Sequence, residues 1–470
     1  MKIERTKQTI QGSFWGILER IVRLVMPYLL RVIVLHVLGK EYLGLNSLFN
    51  SILKVLSLTE LGFGLAVVYC MYKPIAEGDD DKVSAIVTYL KRIYRAIGLV
   101  IFGVGLLITP FVPKLVAGNI PDGINLYVLY LMYLINTSSS YFLFAYKSSL
   151  LSALQLNSTL SQVGFVCYIG CYTAQIIALY TTKNFYLYTI LIPIFSITRN
   201  FIVSQIVNRR YPHLIRQLPI DDADRKQIRS KIFPLMSVKI GSVLAVSIDT
   251  IVISSLFGAV PAAIYNNYYY ICHGIQNLLT VIYHSMQAGV GNSLVLDSKE
   301  KIRGDYEKFE IINNWMVTLA TVMLLCLFQP FIAWSYGEDM LYPASSMIVF
   351  CLYFYLVTIE QIAVMYKDAS GLWREDLPRS LGANVLNIVL SIVLAKKVGT
   401  IGVILASVIA TGIGIPFVDY VVFRHCLEAP LLPQYGRRLL RGAISLITCG
   451  ACSYDENVNI IITHDLFSPF

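Results

Sequence analysis

The sequence predicts an all-α polytopic membrane protein with at least twelve transmembrane helices, arranged as two pseudo-symmetric six-helix lobes. Three observations predict this class: the composition, the spacing of the apolar runs and an internal repeat. Of the 470 residues, 56 % are hydrophobic and only 14 % are charged, and the mean hydropathy is +0.63. A soluble domain needs more polar surface than such values allow. The chain is therefore expected to lie largely within lipid.

Twelve apolar runs are long enough to cross a bilayer, which takes about 17 to 25 residues. A basic, polar stretch at residues 208–231 separates the first six runs from the last six. It predicts an N-terminal lobe at residues 1–218, a C-terminal lobe at 219–427 and a tail at 428–470. The predicted spans are residues 13–38, 44–72, 93–112, 124–145, 158–180, 185–207, 233–257, 262–288, 313–335, 344–366, 380–395 and 400–423.

The loops between these runs differ in charge from one side of the membrane to the other. Alternate loops, beginning with the N-terminal segment, hold 27 lysines and arginines, whereas the opposite loops hold 5. Positively charged loops stay in the cytoplasm, so the N-terminus is predicted to be cytoplasmic. The net charge of +9 is spread over these loops rather than over one soluble surface. We therefore expect no nucleic-acid partner.

An offset of about 219 residues relates the two halves of the chain. The positions that it aligns are glycines or polar residues: Arg20 with Lys239, Gly39 with Gly258, Lys54 with His273 and, at an offset of 220, Lys147 with Lys367. Because six spans separate equivalent points, both halves begin on the same side of the membrane, as in a parallel repeat. The first two helices of each lobe are then expected to face their counterparts across a cleft.

The first predicted span carries three arginines on one face. At 100° per residue, Arg20, Arg23, Pro27 and Arg31 lie at roughly 0°, 300°, 340° and 20°. An arginine at the bilayer centre costs about 3 kcal/mol even on the most lenient scale, so this face is expected to contact protein or water. The alternative is that Arg20 and Arg23 extend to the cytoplasmic interface along their aliphatic stems. Arg31 lies too deep for that.

Three further spans carry polar residues on one side. Lys54 and Glu60 lie in the second span, and Lys239 and Asp249 lie in the seventh. The eighth span has a polar and aromatic stripe at spacings of three or four residues, formed by Asn266, Tyr270, His273 and Asn277. Any one of these residues could simply link helices by hydrogen bonds. Polar faces on four spans at matching positions favour a shared, positively charged cavity, and arginine suits phosphate as a ligand.

Three carboxylates in the spans are candidates for carrying a coupling ion: Asp249, Glu60 and Glu360. A carboxylate in apolar surroundings holds its proton more tightly, so it can take up and release one during transport. Glu360 could instead pair with a cation on a neighbouring helix. The sequence leaves both alternatives open.

Several catalytic and cofactor motifs are absent from the sequence. The only Gly-Lys pair, Gly39-Lys40, is followed by Glu41, so the chain has no P-loop for ATP hydrolysis. Cys449 and Cys452 have no second cysteine or histidine pair at the spacing of a zinc site. We therefore expect no enzyme activity, no metal and no cofactor.

Two stretches resemble bacterial polysaccharide-biosynthesis transporters of the O-antigen and capsular repeat-unit flippase type. They are Gly39–Gly98, which begins GKEYLGLNSLFNSILKVLSLTELGFG, and Tyr366–Ile409, which begins YKDASGLWREDLPRSLGANVLNI. The resemblance implies the multidrug/oligosaccharidyl-lipid/polysaccharide exporter superfamily, with two lobes in a V and alternating access. It also implies that a polyprenyl-pyrophosphate-linked oligosaccharide crosses the bacterial cytoplasmic (inner) membrane, for a surface polysaccharide such as exopolysaccharide, capsule or O-antigen.

The resemblance also implies roles for particular residues. The cationic positions that would hold the pyrophosphate, as in the related lipid II flippases, are Arg20, Arg23, Arg31, Lys54 and Lys239. Sugar contacts are expected from Asn266, Tyr270, His273 and Asn277. The prenyl tail would stay in membrane lipid, and a polysaccharide polymerase and export proteins are the implied partners.

Two alternative functions stay open, and the tail departs from the family. The family often has fourteen spans, whereas the sequence after Arg441 has an apolar run of only about eleven residues, so truncated helices 13 and 14 are expected. One alternative function is a cation-coupled multidrug exporter of the same superfamily, whose cationic substrates this cavity would repel. The other is a non-transporting scaffold of a polysaccharide assembly complex.

Overall fold

The computed structural model describes residues 2–56, 63–116, 120–121, 123–154, 156–222, 224–226, 228, 247–433 and 435–438. Most of them are helical. They fall into two compact units, which we call the first unit (Met1–Ser247 with Gly258–Val260) and the second unit (Ile248–Phe257 with Pro261–Phe470). Two candidate residues, Lys239 and Glu60, lie outside the described residues, as does the chain beyond Arg438. The lobe boundary at residue 218 stays a prediction.

The first unit contains eight α-helices among its described residues. Asn125 and Asn184 cap two of them, since each side-chain oxygen accepts two backbone N–H groups of the first turn. Such caps satisfy donors that a helix leaves without partners at its start. The helices are α1 (Lys2–Val37), α2 (Lys40–Leu56), α3 (Phe63–Glu77), α4 (Asp80–Ile108), α5 (Leu126–Phe142), α6 (Ala145–Ala153), α7 (Asn157–Thr182) and α8 (Phe185–Arg210).

The second unit contains seven α-helices among its described residues. Ser298 caps the third of them, its Oγ accepting the N–H of Lys301 at 3.4 Å. A π-helical turn, Phe423–Leu427, follows the last. The helices are α9 (Ser247–Phe257), α10 (Ala259–Leu296), α11 (Lys299–Tyr336), α12 (Ala344–Ile359), α13 (Gln361–Ala369), α14 (Trp373–Val398) and α15 (Thr400–Val422).

Aromatic residues form part of the core of each unit. In the first unit the ring of Phe49 packs against Tyr130 and Tyr133, with centroids 5.9 and 5.6 Å apart. In the second unit Tyr306 packs edge-on against two rings, those of Tyr366 and Phe423. Edge-to-face contacts of this kind add to the stabilisation that burial provides.

Two glycines at equivalent positions of the repeat share one backbone conformation. Gly39 joins α1 to α2 with a φ of +113°, and Gly258 joins α9 to α10 with a φ of +99°. Residues with a Cβ rarely adopt such angles, whereas glycine does so readily. The alignment at an offset of 219 therefore pairs two turns of the same kind.

Seven helical segments in the described part of the chain are long and apolar enough to cross a membrane. The bent pair α5 and α6, with 47° between them, would make an eighth. The chain is therefore a multi-pass membrane protein. The predicted second span, residues 44–72, corresponds to parts of α2 and α3 on either side of undescribed residues. The count of twelve spans stays a prediction.

The break between α5 and α6 has a counterpart in the second unit, between α12 and α13. Each break leads into a short helix that carries a buried lysine, Lys147 on α6 and Lys367 on α13, and each of these residues is 5 % exposed. The offset of 220 in the sequence aligns these two lysines. Their partners differ, because Lys367 pairs with Asp376 at 2.9 Å and Asp368 at 3.0 Å. Lys147 donates to neutral oxygens of α8 at 2.6 and 2.8 Å.

Candidate functional site

Arg31 lies among polar residues of α2 and α8 in the first unit. Its Nη1 donates to Ser47 Oγ at 3.3 Å, and Ser47 in turn donates to the carbonyl of Leu43 at 2.9 Å. The charge of Arg31 also acts on Lys54 of α2 and on the Tyr188 ring of α8. Lys54 is exposed and forms no salt bridge with any described residue. The structure therefore brings together two of the predicted cations.

Asn46 of α2 extends this polar cluster towards α5. Its Oδ1 accepts hydrogen bonds from the Tyr133 hydroxyl at 2.8 Å and from Asn50 Nδ2 at 2.6 Å. Asn50 lies about one helical turn before Lys54, on the same side of α2. The cluster therefore offers a charged guanidinium and several neutral donors and acceptors within helices of a membrane protein. Such a set of groups suits an anion bearing several oxygen atoms.

Arg23 is separated from Arg31 and contacts other helices. Its Nη1 lies 4.0 Å from Glu19 Oε1, and its Cζ lies 5.5 Å from the ring centroid of Tyr168 on α7. Arg199 of α8 contacts the same ring, with its Cζ 5.7 Å from the centroid. Arg20 is exposed. The stripe predicted on the first span therefore divides into two groups, one around Arg31 and one around Arg23.

Asp249 of α9 is the most deeply enclosed of the described candidate carboxylates, at 3 % exposure. Three hydroxyl groups donate to it: Tyr265 at 2.9 Å, Ser391 at 3.1 Å and Ser407 at 2.9 Å. No lysine, arginine or histidine of the described residues lies within salt-bridge distance of it. A carboxylate held by neutral oxygens can take up a proton or contribute to a cation site. No group of three or more histidine, cysteine or acidic residues in the described chain has the geometry of a metal site.

The residues of the predicted stripe on α10 have different surroundings. Asn266 donates to Thr250 Oγ1 at 3.1 Å and to the carbonyl of Ala262 at 2.8 Å, so it links α10 to α9. Tyr270 is half-buried one turn further on. His273 and Asn277 instead line a polar cavity of about 90 Å³ in the second unit. The other residues that line it are Gln276, Thr280, Tyr283, Val357, Thr358 and Gln361.

Glu360, at the junction of α12 and α13, has a cationic neighbour. Arg379 Nη1 lies 3.8 Å from Glu360 Oε2, and Arg379 also pairs with Asp376. Asp376 accepts from Lys367 as well. The geometry therefore agrees with the alternative in which Glu360 pairs with a neighbouring helix. Its role as a coupling carboxylate stays a prediction.

The sequence analysis did not identify the pair formed by Glu310 and Arg438. Glu310 of α11 and Asp419 of α15 are 2 % and 1 % exposed, and Arg438 lies 2.7 Å from each. The Tyr435 hydroxyl donates to Asp419 at 2.9 Å. Arg438 belongs to the segment after α15, where no periodic pattern marks a buried residue.

Comparison with known proteins gives a family match and several structural matches. A family model described as Polysaccharide biosynthesis protein matches residues 9–286. A structure of the lipid II flippase MurJ in an inward closed conformation is 18 % identical, with a TM-score of 0.69 over 97 % of each chain. No curated protein sequence matches the chain.

Two structures of MATE transporters share the fold at lower identity. An inward-facing multidrug resistance MATE family transporter is 15 % identical, with a TM-score of 0.65 over 86 % of this chain and 98 % of that chain. A mutant of the Vibrio cholerae MATE transporter VcmN is also 15 % identical, with a TM-score of 0.56 over 90 % of this chain and 98 % of that one. The fold therefore occurs both in a lipid flippase and in drug transporters.

Proposed function

Because the chain belongs to the polysaccharide biosynthesis protein family, we propose that it flips a lipid-linked oligosaccharide across the bacterial cytoplasmic membrane. The substrate would be a repeat unit on polyprenyl pyrophosphate, moved by alternating access for surface polysaccharide synthesis. The observation that carries the proposal is the cluster of Arg31 and Lys54 with polar residues of α2, α5 and α8. Two like charges that act on each other are stabilised when an anion binds near both.

Arginine is costly inside a membrane, and this cost supports a functional role for the cluster. An arginine at the bilayer centre costs about 3 kcal/mol or more, and a second cation nearby adds repulsion. A pyrophosphate would reduce both penalties, since a guanidinium donates two parallel hydrogen bonds to phosphate oxygens. Arg20, Arg23 and the undescribed Lys239 are proposed to contribute further positive charge.

The finer details of the architecture and the pathway are also part of this proposal. They comprise twelve spans in two six-helix lobes, a cytoplasmic N-terminus and a polymerase and export proteins as partners. Sugar contacts would come from His273 and Asn277, which line a polar cavity, and from Tyr270. Asn266 would support them indirectly, because its amide already bonds to α9 and α10.

The coupling ion would act at Asp249 rather than at Glu360. Asp249 is buried among three hydroxyl donors, so no positive charge of the described residues competes there with a proton or a cation. Glu360 already has Arg379 beside it. Glu60 stays a candidate for which the structure describes no contacts.

A multidrug exporter is the second candidate, because MATE family transporters share the fold. Its cationic substrates would be repelled by Arg31 and Lys54. No carboxylate of the described residues lies within salt-bridge distance of Lys54 to offset this repulsion. A non-transporting scaffold is the third candidate, and it predicts that the charges of the cluster are dispensable.

Flipping in reconstituted vesicles tests the proposal. We expect Arg31→Ala to slow the flipping of a fluorescent polyprenyl-pyrophosphate oligosaccharide at least tenfold, because a hydrogen bond to a charged group contributes about 1.5 to 3 kcal/mol. Lys396→Ala is the matched control, since it removes an exposed charge at the end of α14. Wild-type flipping by Arg31→Ala would contradict the clamp, and ethidium efflux without lipid flipping would favour the drug exporter.

A further inference from the structure

Two arginines of the first unit contact the same tyrosine ring. The Cζ atoms of Arg23 on α1 and Arg199 on α8 lie 5.5 and 5.7 Å from the ring centroid of Tyr168 on α7. The two guanidinium groups are therefore no more than about 11.2 Å apart, which is the sum of these distances. None of the functional roles assigned above involves Arg199.

The packing of the three helices places these residues at one depth. Along α1 and α7, Gly16 lies opposite Ser161, Glu19 opposite Gly164 and Arg23 opposite Tyr168. Each pair is 145 residues apart, so the two helices run parallel with a constant offset. α8 runs antiparallel to α7, because Gln175 bonds to the carbonyl of Tyr188 while Tyr168 meets Arg199. Arg23, Tyr168 and Arg199 each lie 14 residues from one end of their helices. Those ends are Val37, Thr182 and Phe185, respectively.

This level is distinct from that of Arg31. At about 1.5 Å per residue, Arg23 lies roughly 21 Å from the Val37 end of α1, whereas Arg31 lies roughly 9 Å from it. The two arginines are therefore about 12 Å apart along the helix axis. The first unit thus has two levels of positive charge, one at Arg31 and one at Arg23 and Arg199.

The side chains of Arg23 and Arg199 do not face lipid. The exposed apolar side of α1 is formed by Phe14, Ile17, Ile21, Val25 and Leu29. At 100° per residue, Arg23 lies about 180° from the centre of that stripe. By the same measure, Tyr168 lies about 140° from the exposed apolar face of α7, and Arg199 about 120° from that of α8. The Arg23 side chain is nonetheless 61 % exposed, so it faces an opening rather than hydrocarbon.

The charges at this level are not balanced within the described residues. Arg199 has neither a carboxylate nor a hydrogen-bond acceptor among them, and its Nε is enclosed without a partner. The carboxylate near Arg23 is that of Glu19, at 4.0 Å. Gly164 of α7 leaves room for it, because a Cβ there would lie 2.7 Å from Glu19 Oε1. Two cations and one carboxylate leave a net positive charge in a membrane helix bundle.

We propose that Arg23 and Arg199 form a second anion site that binds the diphosphate group of the lipid-linked substrate about 12 Å from Arg31. This inference rests on the proposed function and adds Arg199 to the residues that bind substrate. The diphosphate would contact both guanidinium groups beside the Tyr168 ring, and Glu19 would limit its affinity by competing for Arg23. An alternative is that Arg199 only packs on Tyr168, in which case anion affinity would be the same in Arg199→Ala.

Binding to the full-length protein in lipid nanodiscs tests this site. The probes are farnesyl diphosphate and inorganic diphosphate, and calorimetry measures their binding to the Arg31→Ala variant. We expect this variant to retain binding at the second site. Adding Arg199→Ala should weaken farnesyl diphosphate at least tenfold, and adding Glu19→Gln should tighten it severalfold. The affinity of Arg199→Lys should lie between that of Arg199→Ala and that of the Arg31→Ala parent, because lysine keeps the charge but not the paired donors. Equal affinity for the two probes would assign recognition to the diphosphate alone, and a preference for the prenylated probe would show that the lipid contributes.

The outcomes separate this inference from the proposed function. If the wild-type protein binds no farnesyl diphosphate, the proposed function is wrong. If wild-type binding is lost in Arg31→Ala and is unchanged in Arg199→Ala and Glu19→Gln, only the second site is wrong. Size-exclusion profiles and thermal unfolding check that each variant is folded. Should Arg199→Ala fail to fold, Arg199→Lys, which keeps the cation, and Glu19→Gln, which keeps both arginines, decide the question.

Discussion

Asp249 and Glu360 are both carboxylates inside the second unit, and their partners distinguish them. Three hydroxyl groups surround Asp249, while a guanidinium lies beside Glu360. A buried charge without an opposite charge is costly unless it can be neutralised. Binding of a proton or a cation would neutralise Asp249 directly, whereas the positive charge of Arg379 already offsets that of Glu360.

The substitution Asp249→Asn tests the role of this carboxylate at the scale of one residue. We expect flipping to fall at least tenfold, because an amide cannot bind a coupling proton or a cation as a carboxylate can. The side-chain shape is kept, so thermal unfolding should change little. Flipping is measured in vesicles with and without an imposed ion gradient. Glu360→Gln is the matched control, and a larger transport defect there than in Asp249→Asn would reverse the assignment.

At the scale of elements, the segment after α15 is anchored to α11 by several polar contacts. Arg303 donates to the carbonyls of Leu427 and Glu428, and Lys299 pairs with the Glu428 side chain at 2.9 Å. The hydrogen bond from Lys299 holds the pKa of the Glu428 carboxyl below its usual range. The pair is therefore intact at neutral pH and is lost as the pH falls through that lowered pKa.

Arg438 should stabilise this docking far more than its neighbour Arg437. Arg438→Ala would remove the cation that the described residues place beside the buried Glu310 and Asp419, and breaking a buried pair in this way costs about 3 to 5 kcal/mol. Arg437→Ala removes an exposed pair with Glu307, which is worth about 0 to 1 kcal/mol. Denaturant or thermal unfolding of the purified protein measures both. Equal effects of the two substitutions would contradict the burial of the Arg438 contact.

At the scale of the whole molecule, the sequence predicts the helical membrane class and several features of the repeat. The aligned glycines, Gly39 and Gly258, share a positive φ, and the aligned lysines both lie on short helices after a break. These features are local, because each depends on the residue types within a few positions of the sequence. The predicted second span, residues 44–72, is helical on both sides of residues that the structure does not describe, so it stays a prediction.

The partners of the site residues could not be predicted in the same way. Arg23 and Arg31 are about 80° apart on α1, so they meet different neighbouring helices, and the period of one helix does not identify those neighbours. Ser391 and Ser407 contact Asp249 from 142 and 158 residues away. Arg199 lies in a span without a polar stripe, so its only signal in the sequence is a single arginine in an apolar run.

The orientation of the chain in the membrane is a prediction about the whole molecule. In a variant with Cys326 replaced by serine, we expect Glu338→Cys to react with a membrane-impermeant maleimide in intact cells. Glu300→Cys should react only after permeabilisation, because its loop is predicted to be cytoplasmic. Both glutamates are exposed at opposite ends of α11. The reverse labelling pattern would contradict the cytoplasmic N-terminus.

The separation between the two arginine levels has an electrical consequence. A displacement of about 12 Å is roughly two fifths of a hydrocarbon core about 30 Å thick. Moving one elementary charge across the full membrane potential is worth about 2.3 kcal/mol per 100 mV, so one negative charge moving between the levels would change in energy by about 0.9 kcal/mol per 100 mV. With the predicted cytoplasmic N-terminus and a negative cell interior, a diphosphate passing from Arg23 and Arg199 towards Arg31 would move to lower electrostatic energy. The membrane voltage itself would then assist the outward step.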